Sequence, residues 1–261
     1  MDATDTIKSL KELQIKKMSS YSVFAQYYDF LNQNVDYNAG SRFISGIFKG
    51  NKVKTVIDLA CGTGVLSEML GKMGYEIIGI DMSDEMLSMA QKRLFESECR
   101  FSLINAKMQD FSLEEKTDAC ICCLDSINHL TDEDDVLKTF KNVSASIKDN
   151  GIFIFDVNSV YKHRTLLNNR AYVFDEEDFF LSWDNEYLKD DTIRIMLDFF
   201  IFNGKSYDRE SEEFFERAYS QSKLKSMLKK AGFGTVDIYG GFDYSSPKKD
   251  SERLFFVCRK G

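Results

Sequence analysis

No run in this 261-residue chain is apolar for long enough to cross a bilayer, which takes about 20 such residues. Met1 to Lys17 is polar and charged, without the apolar core of a secretory signal. Basic charge is not in excess either: 42 acidic residues stand against 34 basic ones, a formal net charge of -8. Nonspecific nucleic-acid binding needs clustered Lys and Arg. The nearest candidates, Lys11 to Lys17 and Lys223 to Lys230, read as solvated helix faces. No nucleic-acid partner and no membrane partner is therefore expected. The six cysteines lack the spacing of a secreted disulfide framework. Cys120, Cys122 and Cys123 fall in an apolar strand whose alternate residues face opposite ways, and no second Cys/His pair accompanies them. Buried reduced thiols are expected there rather than a metal site. Proline occurs once, at Pro247, and no internal repeat or low-complexity tract is present. These absences point to a cytoplasmic, metal-free protein, long enough to bury a proper core.

What the chain does have is the stretch Val56-Ile57-Asp58-Leu59-Ala60-Cys61-Gly62-Thr63-Gly64. An apolar strand ends in a carboxylate and a small residue, then turns through two glycines into a helix. Gly62 and Gly64 let backbone approach a ligand where a side chain would collide. Asp81 closes the next apolar strand, Glu76 to Ile80. In doubly wound sheets such a carboxylate accepts from a ribose diol, with the ligand at the switch point beside the glycine turn. An adenosine-containing cofactor is the expectation. A dinucleotide fingerprint would place a third glycine near position 67, where the chain has Ser67. No Gly-Lys-Ser or Gly-Lys-Thr follows a strand, so a P-loop is excluded.

Apolar strands near 54–59, 76–80, 101–104, 117–122 and 151–156 alternate with amphipathic helices near 64–73, 83–94 and 132–148. That rhythm indicates a parallel sheet built from right-handed crossovers. Helices are also expected over 20–32 and 38–49, and a polar helical pattern over 5–18. After Asp156 the rhythm breaks into aromatic, alternating sequence from Tyr172 to Tyr219, with turn signals at Lys189-Asp190-Asp191 and Asn203-Gly204. About three antiparallel strands are expected there. A helix over 220–231, with Ser220 or Ser222 near its start and Gly232 at its stop, precedes two last strands at 235–240 and 253–259. The fold class is α/β: a Rossmann-like doubly wound seven-stranded sheet with an antiparallel β insertion after the fifth strand.

The pattern Asp-Leu-Ala-Cys-Gly-Thr-Gly at 58–64 resembles the first motif of the class I S-adenosylmethionine-dependent methyltransferases. The likeness runs from about Tyr21 to Arg259 and is nearest to the small-molecule branch acting on glycine or amino sugars. It implies residues 1–50 as an N-terminal helical extension and lid, and 51–160 plus 218–261 as the Rossmann-like cofactor-binding core. Residues 161–217 would form the antiparallel β insertion capping the acceptor pocket. It further implies S-adenosyl-L-methionine as cofactor, with S-adenosyl-L-homocysteine as product. Asp81 would then hold the ribose, since a carboxylate accepts two hydrogen bonds at once. Met82 would pack on the adenine, although a core methionine fits the sequence equally. Asp110, with Gln109 beside it, would read the adenine from the loop Ala106 to Phe111; a turn role is the alternative. Leu124 would lie close by. The backbone of Ala60, Cys61 and Gly62 would face the methionyl tail, with Asp58 fixing its ammonium. The run Tyr21 to Asp29 resembles the family's lid, placing the Tyr28 phenol near the sulfonium and Tyr37, or its rival Arg42, on the tail carboxylate. Packing of Tyr21, Tyr28 and Tyr37 on the core accounts for the same spacing.

Methyl transfer is an in-line displacement, in which orientation and water exclusion supply most of the acceleration. A base is needed only to take a proton from an ammonium nucleophile. His129 lies just past the fourth strand, where relatives acting on amino sugars carry a histidine. An imidazole suits that task, and a helix-start histidine bonded to backbone is the plain alternative. His163 reads as structural. The aromatics Tyr172, Phe179, Trp183, Tyr187 and Phe200 suggest a cap over the acceptor, or simply the apolar face that a sheet needs. The expectation is a methyltransferase acting on a small molecule, at nitrogen, with oxygen as the rival and a non-catalytic cofactor-binding module as the alternative class. No Asn-Pro-Pro-Tyr element for a flipped base is present. In contrast to the glycine-acting relatives, no arginine cluster stands ready for an acceptor carboxylate.

Overall fold

A computed structural model gives the structure of residues 25–261. The expected helix over 5–18 and the lid residues Tyr21 and Phe24 lie outside the described residues. The chain runs through α1 (residues 25–31) and α2 (Tyr37–Lys49), then β1 (Thr55–Leu59), α3 (Val65–Lys72), β2 (Glu76–Asp81), α4 (Asp84–Glu96) and β3 (Phe101–Asn105). It continues with β4 (Thr117–Cys122), a 3-10 turn (Ser126–His129), α5 (Glu133–Ser146), β5 (Ile147–Asn158) and a π-helical turn (Lys162–Leu166). Then follow β6 (Ala171–Asp175), β7 (Phe179–Tyr187), β8 (Thr192–Phe202), β9 (Tyr207–Arg217), α6 (Gln221–Lys230), β10 (Phe233–Tyr239) and β11 (Arg253–Lys260).

Seven strands form one sheet in the order β10-β11-β5-β4-β1-β2-β3. β1 pairs in parallel with both β2 and β4, so the winding reverses between β1 and β4. That reversal opens a crevice beyond the carboxyl ends of the two strands, the place where ligands bind in open α/β sheets. Only β10-β11 and β11-β5 pair antiparallel. Alternation within each strand feeds two cores. One face carries Ile57, Leu59, Cys120, Cys122, Phe153 and Phe155 beneath α5 and α6. The other carries Val56, Ile77, Ile121 and Ile154 beneath α2 and α3.

Helix starts follow local chemistry. Asp36 accepts from Ala39 N–H at 2.8 Å to cap α2, and Ser83 accepts from Met86 N–H at 3.2 Å to cap α4. Ser220 caps α6 by accepting from Lys223 N–H at 3.3 Å. Each such cap is worth about 1 kcal/mol over alanine.

The insertion holds four strands, β6-β7-β8-β9, rather than about three. The missed boundary is Glu176-Glu177-Asp178, a turn without glycine or asparagine, closed by Glu176 N–H donating to the Phe179 carbonyl at 2.9 Å. The next turn uses left-handed backbone at both Asp190 and Asp191 (φ 58° and 60°), as a two-residue hairpin requires. The inner face of this sheet, with Phe179, Leu181, Ile195, Leu197 and Phe199, packs on Tyr27, Phe30 and Leu31 of α1. Tyr27 lies 4.5 Å from Phe179 and 5.4 Å from Phe199, ring centre to ring centre. The insertion thus holds α1 against the rim of the larger sheet.

Candidate active site

The turn after β1 is built from three left-handed residues: Ala60 (φ 58°), Gly62 (φ 54°) and Gly64 (φ 79°). At Gly64 a Cβ would lie 3.0 Å from Ala90 Cβ, so only glycine lets α3 start this close to α4. At Gly62 a Cβ would lie 3.5 Å from Tyr28 Cε1, which puts the Tyr28 ring over the turn. Gly62 N–H donates to Asp81 Oδ2 and Ser83 N–H donates to Asp81 Oδ1, both at 2.9 Å. A carboxylate has about four acceptor positions, so these bonds leave capacity for a further donor. Burial pushes the Asp81 carboxyl up, against the Ser83, Gly62 and Met82 backbone donors and the His129 charge.

Asp58 is 3% exposed and accepts from Ser67 Oγ at 2.6 Å. Burial pushes it up to about 7; Ser67 opposes the shift and the Asp81 charge adds to it. A buried carboxylate of this kind favours a cation beside it. Tyr28, Tyr37, Asp58, Ala60 and Cys61 line one small cavity together with Leu124. Burial raises the Tyr28 phenol and the Cys61 thiol, and pushes Tyr37 up to about 12.

The α1 helix is latched onto this turn. Asp29 accepts from Thr63 Oγ1 at 2.5 Å and from Arg93 Nη2 at 2.6 Å, while Arg93 Nε donates to the Thr63 carbonyl at 2.9 Å. Met82 stands beside Asp81 at 56% exposure, outside the core. Ala106 N–H donates to the Asp81 carbonyl at 3.0 Å, so the loop from Ala106 begins next to Asp81. Farther along, Asp110 pairs with Lys138 at 2.6 Å on the surface, and the Gln109 carbonyl accepts from Asn142 Nδ2 at 2.8 Å. Arg42, the rival to Tyr37, lies with Lys54 and Tyr75 at the amino ends of β1 and β2, away from the turn.

Beyond β4 the backbone is strained, with Leu124 and Asp125 both left-handed (φ 57° and 53°). Asp156 holds them there, accepting from Leu124 N–H at 2.8 Å and Asp125 N–H at 3.1 Å. Arg253 bridges Asp156 and Asp125, at 2.7 Å from the latter. Burial alone would raise Asp125; Arg253, Lys162 and His129 outweigh it and hold the carboxyl down. His129 follows, 45% exposed, its Nε2 3.7 Å from Glu216 Oε1 and its ring 5.2 Å from Phe214. An apolar cavity of about 180 Å³ adjoins the small one, sharing Tyr37, Leu66, Cys123 and Leu124 with it. It is lined by Phe43, Ile44, Ile154, Phe242 and Phe255, together with Asp156 and Arg253.

Asp29, Asp156 and Arg253 have no role at the site in the sequence reading, and Glu216, in the segment Glu216 to Tyr219 that resembles a strand-to-helix stretch near the active site of relatives, reads as structural there. For Asp29 the available signal was that it directly follows Tyr28 in the lid-like run.

The glycine turn, the carboxylate closing β2 and the reversal between β1 and β4 together describe a nucleoside crevice without a pyrophosphate helix. Known proteins decide which one. A sequence profile described as "Methyltransferase domain" matches residues 56–151. "Putative methyltransferase YqeM" of Bacillus subtilis (strain 168) is 34% identical over 244 residues, covering 92% of this chain and 97% of that one. A solved S-adenosylmethionine-dependent methyltransferase from Clostridium acetobutylicum ATCC 824 is 33% identical with a TM-score of 0.85, covering 92% and 99%. The chain belongs to the class I S-adenosylmethionine-dependent methyltransferases. Other relatives of this methyltransferase differ in the atom they modify. A glycine/sarcosine/dimethylglycine N-methyltransferase of Actinopolyspora halophila is 26% identical over 89% of this chain and 40% of its own length. A ubiquinone biosynthesis O-methyltransferase of Hydrogenovibrio crunogenus is 29% identical over 44% of this chain and 47% of its own. Among the described residues no helix is long and apolar enough to cross a membrane.

Proposed function

We propose that this methyltransferase, acting in the cytoplasm, modifies a small molecule at an amine nitrogen, with no nucleic-acid or membrane partner. The observation that carries this reading is His129, half-exposed beyond β4 with the buried carboxylate of Glu216 behind it. A base in that setting takes the proton that an ammonium acceptor must lose before its nitrogen can attack. A partly open apolar pocket of about 180 Å³ beside the crevice suits a small acceptor rather than a polymer. It is close in size to a ~150 Å³ engineered cavity that takes up benzene. Arg253, already bound by two carboxylates, offers little to an acceptor carboxylate, which argues against glycine itself.

The residues present fit the cofactor. Gly62 carries no side chain of its own beneath the Tyr28 ring, Asp81 has acceptor capacity left, and Asp58 is a buried carboxylate in want of a cation. Asp81 would hold the ribose, Met82 the adenine face, and Asp58 with the Ala60, Cys61, Gly62 and Gly64 backbone the methionyl tail. Tyr28 and Tyr37 would close over it, with Leu124 alongside; Gln109 and Asp110 would serve the adenine once Asp110 leaves Lys138. When bound, the cofactor supplies a methyl on a sulfonium, open to in-line attack. The chain's own part is to orient, to exclude water through α1 and residues 161–217 above it, and to receive one proton at His129.

The test is S-adenosylhomocysteine release from purified protein against a panel of amines, amino sugars and phenols. Turnover of amines is expected, with His129→Phe lowering kcat at least tenfold while cofactor affinity changes little. Turnover confined to phenols would assign oxygen instead, and equal losses in kcat and affinity would remove His129 from the chemistry.

A further inference from the structure

Both histidines of this chain face the same carboxylate. Glu216, near the end of β9, is 5% exposed. Its Oε1 lies 3.7 Å from His129 Nε2 and its Oε2 lies 3.7 Å from His163 Nε2. His163, in the π-helical turn, is fully buried at 0%. Its Nδ1 sits 2.9 Å from the Asp191 carbonyl oxygen. A carbonyl only accepts, so Nδ1 carries a proton. In a neutral ring Nε2 would then be a bare lone pair aimed at a carboxylate, and Nε2 has no hydrogen-bond partner. Two buried acceptors face each other there unless a proton stands between them.

The surrounding charges call for that proton. From β5, Asn158 Nδ2 donates to Glu216 Oε2 at 3.3 Å and to Asp125 Oδ2 at 2.8 Å, and Asp156 lies beyond. Lys162 donates to Asn158 Oδ1 at 2.9 Å, and Arg253 bridges Asp125 and Asp156. On the far side, the Asp191 carboxylate is matched by Arg164 at 2.5 Å and receives the Tyr187 hydroxyl at 2.9 Å. Arg217 turns away to Glu133 at 3.3 Å. The cluster around Glu216 therefore sets the carboxylates of Asp125, Asp156 and Glu216 against the two cations Lys162 and Arg253. A protonated His163 supplies the third positive charge.

We propose that Glu216 is a positioning residue: balanced from behind by a protonated His163, its carboxylate charge faces His129 Nε2, favours the proton on that nitrogen and leaves His129 Nδ1 as the basic atom. Its catalytic meaning, that Nδ1 receives the acceptor's proton, rests on the reading of His129 as the base. The protonation pattern does not rest on that reading. The proton leaves the acceptor nitrogen, arrives at Nδ1 and makes His129 an imidazolium against the Glu216 carboxylate, with no other group changing charge.

The two histidines make this readable by nitrogen NMR on imidazole-labelled full-length protein, with signals assigned by His129→Gln and no acceptor required. At about pH 7.5 we expect His163 protonated on both nitrogens and neutral His129 carrying its proton on Nε2. In Glu216→Gln, His163 loses its second proton, and the His129 proton is no longer confined to Nε2. A purely structural Glu216 would move neither. A wild-type His163 with bare Nε2 at about pH 7.5 overturns the proposal, whether or not the variant folds. So does a His129 proton still confined to Nε2 in a folded Glu216→Gln protein. Should the pattern hold while His129→Phe leaves turnover intact, the positioning stands and the base assignment falls.

Discussion

Replacing Asp58 with asparagine probes the tail end of the crevice through pH. The carboxyl is 3% exposed, and burial pushes it from 3.8 to about 7. A rise of about three units corresponds to roughly 4 kcal/mol of disfavoured ionisation at high pH. The folded value lies above the unfolded one, so the contribution of Asp58 to stability is full below about pH 4 and lost as pH rises through about 7. Without cofactor, wild-type stability should fall by about 3 kcal/mol between pH 5 and pH 8 on this account, and Asp58→Asn should lose that slope. A bound ammonium reverses the preference. S-adenosylhomocysteine affinity should climb by up to about tenfold per pH unit from pH 5 to 7 and then level off, with close to one proton released per molecule bound near pH 6. Calorimetry in buffers of different ionisation heat measures both quantities. Asp58→Asn should bind weakly and without that pH dependence. If the variant keeps the wild-type pH profile, or if no proton is released near pH 6, Asp58 does not hold the tail ammonium.

Two other substitutions test how the site is held. Asp29→Ala removes the acceptor shared by Thr63 and Arg93 and should free α1 from the glycine turn. Stopped-flow measurement should show S-adenosylhomocysteine leaving about tenfold faster, with circular dichroism unchanged; an unaltered off-rate would dismiss the latch. Asp156→Asn breaks a buried ion pair with Arg253 and weakens the grip on left-handed Leu124 and Asp125. A loss of about 3–5 kcal/mol is expected in urea unfolding, and a loss below about 1 kcal/mol would contradict this role.

The larger sheet was legible because each of its strands is a short apolar run flanked by a helix with its own punctuation. Asp36 before α2, Ser83 before α4 and Ser220 before α6 all sit where a cap belongs. The glycine turn was legible for a related reason: Gly62 and Gly64 have local jobs that no other residue does. The count of strands in the insertion was not, since a charged turn at Glu176 to Asp178 looks like the polar face of one longer strand. Arg253 and Asp156 meet across 97 residues, and Glu216 meets Asn158 across 58. Such pairings depend on the antiparallel return of β11 beside β5 and on the insertion folding over the 3-10 turn. No local spacing encodes them. Asp110 shows the opposite limit, where a residue named from its loop is held by a surface lysine 28 positions away.

The central claim is that the glycine turn and Asp81 together grip one adenosyl sulfonium. Titration calorimetry of S-adenosylmethionine into wild type and Asp81→Ala tests it most directly. One-to-one uptake by wild type is expected, weakened at least thirtyfold in a variant that keeps its fold, about 2 kcal/mol or more. Equal affinity in the two proteins, or a wild type that ignores S-adenosylmethionine and takes a nicotinamide dinucleotide, would contradict the account.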